Sequence, residues 1–119
     1  MTIGGFYNIM IIEFKSNKLM KLCKKEKKAR KKLGADVARS LIRRLYQLQA
    51  FENLEEVPYS PPFRRHKLSG DYEGCFAVDL KGAYRIVFKP IIDNDKTIEE
   101  IELSEVKKIT IWEVIDYHD

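Results

Sequence analysis

Between Cys75 and Lys89 the chain runs Cys75-Phe76-Ala77-Val78-Asp79-Leu80-Lys81-Gly82-Ala83-Tyr84-Arg85-Ile86-Val87-Phe88-Lys89. Over residues 75–81, Phe76, Val78 and Leu80 alternate with Cys75, Ala77 and Asp79. Over Tyr84–Lys89, Tyr84, Ile86 and Phe88 alternate with Arg85, Val87 and Lys89. Successive strand side chains point to opposite faces, so a period of two marks strands with one face on the core. Lys81-Gly82 supplies a tight turn between the two runs. Pro90 has no amide hydrogen to give and ends the second strand. The stretch therefore predicts a β-hairpin, with Arg85 on the face opposite Tyr84, Ile86 and Phe88.

The same period extends to both sides. Residues 63–68 read as a further strand, and residues 108–117 are strongly β-like, ending in Ile115-Asp116-Tyr117-His118-Asp119. Residues 7–14 form a short β-branched run that reads as the opening strand. Between these lies a different pattern. After Ser16 or Asn17, either of which caps a helix, Leu19, Leu22, Cys23, Ala29 and Leu33 recur at helical spacing over residues 18–33. Gly34 stops that helix. A second starts near Asp36, with Val37, Ala38, Leu41, Ile42, Leu45 and Leu48 as its buried stripe and Arg39, Arg43 and Arg44 outside it. Pro58, Pro61 and Pro62 make Glu52–Pro62 a loop. The predicted order is β-α-α-β-β-β-β: a single α+β domain over residues 1–119, with a helical hairpin packed on a twisted antiparallel sheet.

Composition narrows the class. At 119 residues, with 45% hydrophobic and 11% aromatic side chains, the chain has enough apolar material for one core. Its longest apolar runs, such as Ile9–Ile12 and Cys75–Val78, are four residues, against the ~20 that span a bilayer. No basic stretch precedes an apolar run near the N-terminus, so a cytoplasmic protein with no membrane partner is expected. Cys23 and Cys75 make no disulfide framework. The net charge of +4 hides a strong asymmetry: residues 15–67 carry +11, residues 68–119 carry −6, and Glu13 supplies the remaining −1. A basic half on a small domain suits a polyanionic partner, nucleic acid above all. A solvated helix face is the alternative meaning of the same charges.

The sequence carries no glycine-rich phosphate loop, no metal-spaced Cys/His cluster and no nucleophile elbow, and no cofactor is expected. What it offers is a set of polar residues on or beside strands: Arg64-Arg65-His66-Lys67, Arg85, and Asp116-Tyr117-His118. Each alone has an ordinary structural role, an ion-pair partner in the case of a strand arginine. Together they meet a specific demand. Metal-free RNA cleavage by the ribose 2′-OH needs a base, an acid, and fixed positive charge for the phosphorane. Histidine suits both proton roles, and the planar arginine fork suits the charge.

The segments Arg65-His66-Lys67-Leu68-Ser69-Gly70-Asp71, Gly74-Cys75-Phe76-Ala77-Val78, Gly82-Ala83-Tyr84-Arg85-Ile86-Val87-Phe88 and Asp116-Tyr117-His118, in that order, resemble the HigB branch of the RelE toxin superfamily. The resemblance implies a RelE-like fold and the toxin of a type II toxin–antitoxin pair. Such a toxin is a ribosome-dependent mRNA endonuclease, neutralised by a cognate helix-turn-helix antitoxin and meeting operator DNA only through that antitoxin. It assigns catalytic roles to His66, Arg85, Asp116, Tyr117 and His118. RNA contacts fall to Arg64, Arg65 and Lys67 beside the site and to Lys24, Lys27, Lys28 and Lys31 on the lysine-covered helix. Two features depart from the family pattern. Lys67 directly follows the histidine, with Ser69 where the family has lysine, and the stretch from Lys89 to Lys108 is longer and acidic. Two other functions stay open: a ParE-like gyrase inhibitor of the same fold, and a non-catalytic RNA- or ribosome-binding module.

Overall fold

A computed structural model describes residues 9–92, 96–97 and 99–116. The hairpin forms at its centre. β3 (Phe76–Asp79) and β4 (Tyr84–Pro90) pair antiparallel with Asp79 opposite Arg85 and Phe76 opposite Phe88. The turn takes three residues, Lys81-Gly82-Ala83, closed by the Leu80 amide donating to the Tyr84 carbonyl at 2.9 Å. Gly82 sits at φ +66°, a left-handed conformation that costs glycine little. β5 (Lys108–Asp116) flanks β4, β1 (Ile11–Phe14) flanks β5, and β2 (His66–Lys67) flanks β3, giving the sheet order β1-β5-β4-β3-β2.

Two corrections concern the sheet. β1 runs parallel to β5, so the sheet is mixed rather than antiparallel throughout. Nearly the whole chain separates these strands, so no hairpin turn constrains their direction. The strand expected over residues 63–68 shrinks to β2, His66–Lys67, paired with Ala77 and Phe76. Arg64 at φ +49° bends the chain out of the ladder just before it.

Among the described residues the α-helices number three, giving the order β-α-α-α-β-β-β-β. α1 (Asn17–Lys24) begins where the Ser16 hydroxyl accepts from the Leu19 amide at 3.1 Å. It ends at Lys25, which is extended, and α2 (Glu26–Leu33) follows at once. The break has a cause in the sequence. From Lys24 to Lys28 no apolar side chain anchors the cylinder, and Lys21, Lys24, Lys25 and Lys28 repel at i,i+3 and i,i+4 spacing. Cys23 and Ala29 are therefore buried by separate helices. Gly34, at φ +88°, joins α2 to α3 (Ala35–Ala50).

One face of the sheet packs against the helices. Phe76, Val78, Leu80, Ile86, Phe88, Ile109 and Ile111 meet Leu41, Leu48, Leu54 and Met10 there, and the Phe76 and Phe88 rings stack at 6.0 Å. At about 0.025 kcal/mol per Å² of buried apolar surface, such a layer is the main favourable term in folding. The acidic segment is anchored in the same core: Val106 is buried, and its carbonyl accepts from the Leu54 amide at 3.0 Å. Among the described residues no helix is long and apolar enough to cross a membrane.

Candidate active site on the open sheet face

The other sheet face carries His66 and Arg85, two of the candidate residues. Register places His66, Ala77, Val87 and Glu113 in one row across four strands, with Asp79, Arg85 and Ile115 in the next row of the same face. With strands ~4.8 Å apart and a rise of ~3.3 Å per residue, the His66 and Arg85 backbones lie about 12 Å apart, within reach of a histidine and an arginine side chain converging on one phosphate. Ala77 and Val87 are buried, so the floor of this face is dry and apolar.

Asp79 joins its walls. Arg64 donates to it through both fork nitrogens, Nε to Oδ2 at 2.8 Å and Nη2 to Oδ1 at 3.2 Å. Arg85 Nε lies 3.0 Å from Oδ1 as an ion pair, without hydrogen-bond alignment, while its Nη1 donates to the Tyr84 carbonyl at 3.1 Å. Arg44 of α3 donates from Nε to the Asp79 carbonyl at 3.0 Å and from Nη1 to Gln47 at 2.6 Å. The exposures of these groups differ. The Arg85 side chain is 12% exposed, that of Asp79 23% and that of Arg64 44%. Three guanidinium groups against one carboxylate leave the cluster with a surplus of positive charge.

His66 belongs to this cluster through the backbone. Its Nδ1 lies 2.7 Å from the Arg64 carbonyl oxygen, which accepts only. Nδ1 therefore carries the proton, and in the neutral ring Nε2 keeps its lone pair. An imidazole held by Nδ1 in this way can take a proton from a hydroxyl through Nε2.

The remaining predicted residues divide. Asp116 is exposed at the end of β5 opposite Tyr84, a core-facing residue, so the pleat turns it away from Arg85. Tyr117 and His118 lie outside the described residues. Lys67 is exposed but pairs with Phe76, so it leaves the edge strand on the face opposite His66. Arg65 corrects an expectation outright. It is 2% exposed, donates from Nε to the Val57 carbonyl at 2.9 Å, and lies over the Tyr59 ring at 4.2 Å. It presents no surface to an RNA. Arg44, expected outside the helical stripe, is likewise buried at 7%. Burial, followed by the charge of Arg43, lowers its pKa, with Asp79 opposing. Lys24, Lys27, Lys28 and Lys31 are all exposed on α1 and α2.

Sequence reading passed over Asp79, the residue that gathers the arginines, although its parity with Arg85 across the hairpin was visible. It also passed over Tyr72 and Glu113, whose side chains hydrogen-bond across the open face with the phenol donating. No family model, curated protein or solved structure matches this chain.

Proposed function

We propose that this protein is the toxin of a type II toxin–antitoxin pair and cuts mRNA on the ribosome. The observation that carries the reading is the contact of His66 Nδ1 with the Arg64 carbonyl oxygen at 2.7 Å, which ties the imidazole to the segment that carries the Arg64–Asp79–Arg85 cluster. In the proposed reaction His66 Nε2 takes the proton of a ribose 2′-OH as that oxygen attacks the adjacent phosphorus. The bond to the 5′-oxygen then breaks, leaving a 2′,3′-cyclic phosphate. Arg85 and Arg64 offset the charge that develops on the phosphorane. A second proton donor serves the leaving oxygen, and the family resemblance offers its C-terminal acid–base cluster, Asp116, Tyr117 and His118, as the source of that proton. The exposed lysines of α1 and α2 add a surface for ribosomal RNA, with affinity that falls as salt rises.

Orientation of the message is the ribosome's share of the work, because a shallow sheet face holds a flexible strand loosely. Expression without a partner is expected to arrest growth, and the purified protein to cut mRNA on programmed ribosomes far faster than naked RNA. His66→Gln should lower single-turnover cleavage by ~10²–10⁴-fold. Lys27→Ala with Lys28→Ala and Lys31→Ala should weaken ribosome binding and flatten its salt dependence, leaving the cut position unchanged. Full cleavage by His66→Gln, or harmless expression of the folded protein, refutes the nuclease reading. A non-catalytic binding module is the second reading, favoured by the enclosure of Arg85 against Asp79. It predicts ribosome binding without any cut.

A further inference from the structure

The open face holds a second basic feature apart from the arginine cluster. Trp112 is the extra residue of a bulge in β5, where Val87 pairs with Glu113 and Phe88 with Ile111. Two ammonium groups gather on its ring, Lys15 Nζ at 4.3 Å from the centroid and Lys89 Nζ at 5.4 Å. They arrive from different elements, Lys15 just after β1 and Lys89 near the end of β4. Among the described residues neither lysine forms an ion pair. Two carboxylates belong to the neighbourhood. Glu113 already accepts the Tyr72 hydroxyl, and Glu13 shares a row with Thr110 and Lys89.

Two like charges drawn to one partly exposed indole repel each other, and a ring face relieves that repulsion far less than an anion would. A phosphate bound at the edge of the ring meets positive charge that the indole does not neutralise, and the ring offers a flat apolar surface to a base. Basic side chains interleaved with an aromatic ring are the usual means of holding a single strand, since every base has a π-face. A duplex hides its bases and gains nothing from the ring. We propose that Trp112, Lys15 and Lys89 form a nucleotide subsite for single-stranded RNA, with a base against the indole and its phosphate at the edge of the ring. Trp112 lies on the same strand as Ile115, the partner of Arg85. A single strand laid across this face of the sheet thus spans both clusters, and the subsite holds a nucleotide flanking the cut. The inference rests on the RNA reading above but does not need its chemistry.

Trp112 is the only tryptophan of the chain, so its fluorescence reports on the subsite directly. The full-length protein is titrated with a short 2′-O-methyl RNA, which lacks the attacking hydroxyl, and with an abasic strand of equal length. Saturable quenching by the RNA is expected, with roughly tenfold weaker binding of the abasic strand. Lys15→Ala with Lys89→Ala should weaken binding roughly tenfold, and its log–log salt slope should be shallower by about 0.7 for each phosphate no longer neutralised. Glu13→Gln should tighten it. Trp112→Phe, which keeps an aromatic face, should bind more tightly than Trp112→Ala when followed by a labelled RNA. Equal affinity for the abasic strand, or an unchanged salt slope in the lysine variant, overturns the subsite. Quenching that persists in a protein unable to cut programmed mRNA upholds the subsite and removes the nuclease reading. Normal cleavage with silent Trp112 fluorescence does the reverse.

Discussion

Asp79 offers the most direct test of how the site is built. Changing it to alanine removes the carboxylate that the forks of Arg64 and Arg85 share. The two pairs differ in environment, and so in worth. Arg85 and Asp79 are mostly buried, at 12% and 23% exposure, and stripping one partner from such a pair costs about 3 kcal/mol, because a guanidinium is left uncompensated in a dry site. Arg64 is 44% exposed, so solvent screening leaves its pair worth about 0.5–1 kcal/mol despite the two-point geometry. Unfolding entropy of ~2.1 cal/mol/K per residue sums to about 0.25 kcal/mol/K for a chain of this length. A loss of about 3 kcal/mol then lowers Tm by about 12 °C.

A double-mutant cycle resolves the parts. Asp79→Ala, Arg85→Ala and the double variant, measured by urea unfolding, should show a coupling energy of about 1–3 kcal/mol. The matching cycle with Arg64→Ala should show less, and should shrink further in high salt while the Arg85 coupling holds. Arg85→Ala is accordingly expected to cost stability as well as activity. If Tm falls by less than about 3 °C in Asp79→Ala, or if the Arg64 coupling is the larger, the burial argument is wrong.

Two further outcomes follow from buried or bonded groups. Arg65→Ala removes a hydrogen bond to the Val57 carbonyl and opens a void beside Tyr59 and Phe76, which should cost about 3 kcal/mol. Arg65→Met fills the space and removes the unpaired Nη2, so its cost should fall to that of the lost hydrogen bond, about 1 kcal/mol, with RNA affinity unchanged in an oligonucleotide titration. Loss of RNA affinity in a stable Arg65→Met variant would show that the residue does reach the ligand. The Tyr72 phenol is raised to about 12, first by its bond to Glu113 and then by burial. Its unfolded counterpart ionises near 10, so the bond stabilises fully below about pH 10 and its contribution is lost as pH climbs from there through about 12. Tyr72→Phe should therefore flatten the fall of stability across that window, and an unchanged slope in urea melts would count against the bond.

Most of the fold was legible because alternation and helical spacing are local signals. Phe76, Val78, Ile86 and Phe88 announce their shared face, and the stripe from Ala38 to Leu48 announces the long helix. Alternation even contains the register of the hairpin. A two-residue turn at Lys81-Gly82 would set Asp79 opposite Tyr84, joining residues of unlike parity. Only an odd loop, Lys81–Ala83, sets Asp79 opposite Arg85 as observed. What escaped reading was set by contacts distant in the chain. The break at Lys25 depends on which apolar anchors the core supplies, and the parallel pairing of β1 depends on a strand near the far end of the chain. The inward turns of Arg44 and Arg65 were invisible because a buried arginine is the exception, tolerated only where carbonyls such as those of Asp79 and Val57 receive it.

The Asp79 cluster shows why holding an arginine need not disable it. A free guanidinium on a long stem loses rotamer entropy when it grips a phosphate, whereas one already fixed by a carboxylate has lost it during folding. In the proposed function the carboxylate competes with a phosphate of the message for the same fork, and the balance depends on numbers and exposure. Arg44 hydrogen-bonds the backbone of Asp79 rather than its carboxylate, and the half-exposed Arg64 retains solvent-facing surface. The cluster therefore keeps positive potential toward the open face while its geometry is locked. Asp79 thus contributes twice, its carbonyl holding Arg44 of α3 at the hairpin end and its carboxylate orienting Arg64 and Arg85. The same carboxylate that strengthens the fold restrains the affinity of the site, which suits a surface whose ligand is oriented by a larger partner.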